Sequence, residues 1–165
     1  MGRYLIINAD DFGKTEEVNA RILKALELGY INQTTLMVNM PFCDVAVREA
    51  KTKGYSDKIG LHLNLTEGVP LTSDILNFQT FCINGTFNGE IRNILRHRKL
   101  SREEKCVLKL EISAQISKFL SYNLPLKHLD SHHHIHTEYQ LLKILFSMQV
   151  DVDSMRLYRN LLPLN

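Results

Sequence analysis

Short apolar runs recur along this chain at residues 4–9, 34–40, 59–65, 126–130 and 155–158, and helical patterns or breaks separate them. Val18, Ile22, Leu23 and Leu26 mark one helix face that stops at Gly29, residues 43–53 form a short helical pattern ending near Gly54, and residues 139–148 form another. A longer pattern opens at Ser101, with Glu104 completing a capping box, and turns Val107, Leu108, Ile112, Ile116 and Leu120 inward until Asn123 and Pro125. Strands alternating with helices point to a parallel sheet, because each helical crossover returns the chain to the same end of the sheet. The expected fold class is therefore α/β, in a single domain over residues 1–165. From residue 70 to about 89 the periodicity lapses, and residues 81–87 read as a small hairpin turning at Asn84-Gly85. An insertion or lid is expected at about residues 70–90.

Parallel α/β sheets place their chemistry at the C-terminal ends of strands, where the following loops converge on one mouth. The polar clusters of this chain obey that rule. Asp10-Asp11 follows the first run, Thr34, Thr35 and Asn39 line the second, and His62 and Asn64 end the third. The sequence His128-Leu129-Asp130-Ser131-His132-His133-His134-Ile135-His136 follows the fourth, and Arg156 and Arg159 flank the fifth. Imidazole is the commonest protein ligand for transition metals, and crowded histidines cost stability unless partners or an ion hold them. The plainer alternative is a solvated His-rich loop.

Two adjacent carboxylates on an extended chain point to opposite faces, so one of Asp10 and Asp11 can reach a metal while the other meets substrate or water. Capping of the following helix is the structural alternative. His62 stands at the same sheet mouth as Asp11 and His132, which makes a site of two imidazoles and one carboxylate. Three protein ligands leave open positions, the mark of a catalytic site, where an ion acidifies water and a nearby carboxylate takes the proton. Amide or ester hydrolysis fits. The same ligands also serve mononuclear iron oxygenases, but those use β-sandwich barrels rather than a βα pattern.

Composition narrows the partners. With 44% hydrophobic and 23% charged residues the chain is globular, and a net charge of +2 with interspersed signs provides no stripe for a polyanion. Neither a nucleic-acid nor a membrane partner is expected; Arg96-His97-Arg98-Lys99 reads as a solvated helix end. Cys43, Cys82 and Cys106 are odd in number and widely spaced, which suggests reduced thiols rather than a disulfide framework. Residues 4–7 are too short for a signal-peptide core, and Ile6 occupies the place where myristoylation needs Ser or Thr. The expected location is cytoplasmic.

Four motifs appear in order: Asn8-Ala9-Asp10-Asp11-Phe12-Gly13, Thr34-Thr35-Leu36-Met37-Val38-Asn39, Gly60-Leu61-His62-Leu63-Asn64-Leu65-Thr66 and the histidine stretch 128–136. Together they resemble the YdjC-like carbohydrate deacetylases, including the chito-oligosaccharide deacetylases, from residue 4 to about 159. The resemblance implies a distorted (β/α) barrel with helices outside and hydrolytic removal of acetyl groups from N-acetylated sugars such as chito-oligosaccharides. It also implies one divalent ion, Mg2+ or Zn2+, held by Asp11, His62 and His132, with Asp10 as general base. Asn39, Asn64, His134, His136 and Arg156 are the expected substrate contacts.

Members of that family run on past the length of this chain and carry a late histidine near the active site. The expectation is therefore a barrel truncated at its C-terminus, with the family's last portion missing. An uncovered sheet edge near residues 155–158 would be covered by a second copy, giving a homodimer or larger homo-oligomer. Two other functions compete: a metal-dependent phosphoesterase or amidohydrolase on a similar barrel, and a catalytically incomplete metal- or sugar-binding protein.

Overall fold

The computed structural model describes residues 5–148 and the backbone of residues 156–157. Its main sheet has five strands, β1 (Asn8–Phe12), β2 (Gln33–Leu36), β3 (Ile59–Leu63), β6 (His128–Ser131) and β7 (Arg156–Leu157), in that order and all parallel. A two-stranded hairpin, β4 (Cys82–Ile83) and β5 (Thr86–Phe87), stands apart from it. Among the described residues there are five α-helices, α1 (Glu16–Glu27), α2 (Cys43–Thr52), α3 (Ile91–His97), α4 (Arg102–Ser121) and α5 (Tyr139–Ser147). The fold is α/β, and the sheet keeps the sequential strand order of a (β/α) barrel wall. Among the described residues that wall is open.

Local chemistry sets the helix ends. The Thr15 hydroxyl accepts a hydrogen bond from the Val18 amide at the start of α1, and Ser101 and Glu104 form a reciprocal capping box on α4. Asn84 and Gly85 both take positive φ, which a tight hairpin turn requires. No helix of the described residues is long and apolar enough to cross a membrane. The cysteines are free, Cys43 and Cys82 buried and Cys106 exposed.

Three details depart from the sequence expectation. β1 starts at Asn8, after Leu5, Ile6 and Ile7, which are exposed. The acidic pair therefore lies inside the strand's end, not beyond it. The inward face of α4 is also rotated: Leu120 is exposed, and Glu111 and Gln115 are buried beside Leu108, Ile112 and Phe119. Their polar groups are fully used there. Glu111 accepts hydrogen bonds from the Leu71 and Thr72 amides and the Thr72 hydroxyl, and the Gln115 amide bonds Asn64 and Glu111. The third departure is the segment expected as an insertion or lid. The bonds from Leu71 and Thr72 to Glu111 strap it down, and its Ile75, Phe81 and Phe87 join the main core.

Close strand packing positions the site. His128 on β6 lies over Gly60 on β3, so near that a Cβ on Gly60 would stand 2.3 Å from the ring. Only glycine leaves room for that imidazole.

Candidate metal centre

At the end of β1 the pairing register shifts between Ala9 and Phe12, and Asp11 takes a left-handed φ of 67°. Asp tolerates that conformation better than most residues because its short polar side chain bonds locally. The alternation argument for the two acids therefore fails here: strand geometry is broken at Asp11, and Asp10 and Asp11 both line one cavity of about 520 Å3. His62, His132, His133, His134, Thr66 and Arg92 share its wall.

Asp11 Oδ1 lies 2.8 Å from His132 Nδ1 and 3.3 Å from His62 Nε2. Both rings are buried, and the carboxylate oxygen itself is inaccessible, yet no donor is aligned on it. The outer ring nitrogens explain why. His62 Nδ1 is 2.6 Å from Asp130 Oδ1, and His132 Nε2 is 3.0 Å from Glu67 Oε2. When each imidazole is neutral and donates its one N–H to that outer carboxylate, both inner nitrogens turn lone pairs toward Asp11.

Three converging lone pairs repel unless a cation lies among them, so the donor set fits a divalent ion. Atoms sharing an ion at roughly 2.1 Å lie about 3 to 3.5 Å apart, close to the spacings here. In the metal-free chain a proton on His62 takes that place. Burial disfavours a charged His62, but the Asp11 carboxylate beside it and its hydrogen bond to Asp130 outweigh that and raise the pKa to about 9. The His132 and His62 nitrogens hold Asp11 well below the usual carboxylate range, against its own partial burial.

Around this centre stands a ring of supporting groups. Asp130 Oδ2 accepts from the Thr35 hydroxyl at 3.1 Å and from Asn8 Nδ2 at 3.4 Å, and Asn8 also donates to Asp10 Oδ1 at 2.7 Å. Lys14 Nζ reaches Glu67 Oε2 at 2.8 Å and stands 3.7 Å from Asp11 Oδ2.

The remaining expected residues divide. His134 lines the cavity and is exposed. His136 is buried and bonds the Ser131 hydroxyl at 2.6 Å. Asn39 and Asn64 do not line the cavity. Asn64 accepts from the Thr66 and Glu67 amides and donates to Asn39 and the Glu67 carbonyl, while Asn39 donates to the carbonyls of Glu67 and Val69. Their polar groups are spent on holding the loop after β3. The side chain of Arg156 lies outside the described residues. His133 does not alternate away from His132 as in a strand, because β6 ends at Ser131 and His133 takes φ 53°. Its ring centroid sits 4.0 Å from that of His132.

Sequence reasoning gave Asp130, Glu67, Lys14 and Arg92 no role. Asp130 was legible in principle, since it is the direct cross-strand partner of His62. Arg92 sits on α3 and bonds Glu138 and the His133 carbonyl.

Known proteins resemble this chain in sequence and in fold. A carbohydrate deacetylase of Vibrio campbellii is 41% identical over 143 residues, covering 86% of this chain and 53% of that protein. Another, from Halalkalibacterium halodurans, is 38% identical, covering 86% of this chain and 57% of its own length. The chain thus spans about half the length of the curated relatives it matches. A crystal structure from Enterococcus faecalis V583, described as a candidate cellobiose-phosphate cleavage protein, superposes with a TM-score of 0.73 at 28% identity, over 87% of this chain and 54% of that one. The sequence profile of the YdjC-like proteins matches residues 4–163, which takes in every strand of the main sheet and all the residues around Asp11, and the chain belongs to that family.

Proposed function

We propose that this chain carries the metal-binding part of a hydrolase that removes acetyl groups from N-acetylated sugars such as chito-oligosaccharides. The observation that carries the reading is Asp11 Oδ1, buried without an aligned donor between the inner nitrogens of His62 and His132. The relatives named carbohydrate deacetylase support the reaction class. Asp11, His62 and His132 would hold the ion, Zn2+ being favoured by the two imidazoles and Mg2+ the other choice. When bound, such an ion supplies Lewis acidity that acidifies water and polarises an acetamide carbonyl.

The chain's own groups do the rest. Asp10 is exposed in the cavity, and Asn8 Nδ2 fixes one of its oxygens at 2.7 Å, which leaves the other free to take a proton from the attacking water. Arg92 and His134 line the outer wall, where sugar hydroxyls and the acetamide can meet them.

The test is acetate release from N-acetylglucosamine oligomers by the Zn2+- or Mg2+-loaded protein, run beside phosphate release from simple phosphate esters. Acetate release that disappears in Asp10→Asn supports the reading. Phosphate release instead assigns a phosphoesterase. A third outcome, sugar binding without turnover, would make it a binding protein and overturn hydrolysis.

A further inference from the structure

We propose that Glu67, held by Lys14, is a positioning residue that fixes the His132 ring so that Nδ1, rather than Nε2, faces Asp11 and His62; this rests on the metal reading of the centre. The two imidazoles turn different nitrogens inward: His62 presents Nε2 and His132 presents Nδ1. An imidazole can present only the nitrogen whose opposite N–H has found a partner, because the proton must reside on the other one. For His62 that partner is Asp130, a neighbour in the sheet itself. For His132 it is Glu67, on the loop after β3, and the sheet does not place it.

The loop is built to hold that carboxylate still. Asn64 Oδ1 accepts the Glu67 amide at 3.1 Å, and the Glu67 carbonyl receives both Asn64 Nδ2 at 2.7 Å and Asn39 Nδ2 at 3.2 Å. The next residue, Gly68, takes φ +76°, and a Cβ there would stand 2.8 Å from Met40 Sδ. At the side-chain end, Lys14 Nζ and His132 Nε2 both bond the same oxygen, Oε2, at 2.8 and 3.0 Å. The preceding residue acts on the next ring: Thr66 Oγ1 is 3.1 Å from His133 Nδ1, and His133 stacks against His132. The loop thus controls both the tautomer and the tilt of His132.

Lys14 adds a second effect. Its ammonium lies between Glu67 and Asp11, so it offsets part of the negative charge that Glu67 brings near the ligand carboxylate. Glu67 can then polarise His132 without repelling Asp11.

The experiment measures Zn2+ affinity by competition with a chromophoric chelator, and histidine tautomers by long-range 1H–15N correlation, for the wild-type chain, Glu67→Ala and Glu67→Gln. Loss of an outer partner to a metal-bound histidine typically costs 10- to 100-fold in metal affinity. Glu67→Ala is expected to lose about that much and to release His132 from a single tautomer, while the His62 signals stay in place. Glu67→Gln keeps a carbonyl acceptor for Nε2–H and is expected to restore the tautomer and much of the affinity. Wild-type affinity with an unchanged His132 tautomer in Glu67→Ala overturns the proposal and leaves the metal centre standing. Absence of stoichiometric Zn2+ in the wild-type chain overturns both.

Discussion

His62 Nδ1 lies 2.6 Å from Asp130 Oδ1, and the two residues face each other across the β3–β6 ladder. A contact made by strand register needs no loop to assemble it. Register therefore decides which nitrogen His62 presents, and a slip by one residue would turn the ring out of the centre.

Asp130→Ala is expected to weaken Zn2+ binding about 10- to 100-fold, since His62 loses the acceptor that fixes its tautomer. His62→Ala and His132→Ala, which delete ligands outright, should abolish stoichiometric binding. Metal analysis after gel filtration separates the two grades of loss, and equal retention in all three variants refutes the ligand assignment.

The paired acids should behave differently although both line the cavity. Asp11→Asn removes the charge of a ligand and is expected to lose most metal affinity. Asp10→Asn should keep the metal and lose hydrolysis by about 100-fold or more, the usual contribution of a general base. Calorimetric titration with Zn2+ beside acetate release checks both arms; comparable metal loss in the two variants would show that the roles are not divided.

The metal-free chain should lose stability in alkali. Desolvation opposes a charged His62, but the nearby Asp11 carboxylate and the hydrogen bond to Asp130 raise its pKa from 6.5 to about 9. A group raised on folding stabilises fully below its unfolded pKa and ceases to do so as pH rises through the folded one. The expected loss between pH 6.5 and about 9 is on the order of 3 kcal/mol at most, the equivalent of the full shift. Metal affinity should run the opposite way over the same interval, because the ion competes with that proton. Thermal melts with chelator and with Zn2+ across this range test the sign; a chelated melt that rises with pH refutes it.

Gly60→Ala is expected to destabilise the fold by about 1–3 kcal/mol, because the new methyl group would meet the His128 ring at 2.3 Å. Chemical denaturation of the variant measures it. The cost should shrink when His128→Ala is combined with it, and an additive double variant would exclude the clash as the cause.

Legibility in the sequence followed periodicity. The alternation of strands and helices, the hairpin turn at Asn84-Gly85 and the capping box at Ser101 depend on local residues and are recovered in the structure. Where a polar residue is satisfied from far away, the pattern misled. Glu111 and Gln115 look like solvent-facing positions of α4, yet backbone amides and carbonyls some forty to fifty residues upstream draw them inward. At the centre, the histidine stretch and the acidic pair were visible as chemistry, but their directions were not. Left-handed backbone at Asp11, His133 and His134 breaks the alternation on which face assignments depend. Asn39 and Asn64, expected as substrate contacts, spend their hydrogen bonds on the loop after β3.

The order β1-β2-β3-β6 carries a consequence for how the chain can be handled. Asp11, His62 and His132 arrive from three strand ends, with β2 wedged between the first two. An ion gripping all three would be a reversible cross-link between distant parts of the polypeptide, formed only after every intervening strand has docked. It raises resistance to denaturant in proportion to the logarithm of free metal. Titrating zinc during refolding would therefore count completed sheets, and the protein would act as its own gauge of assembly.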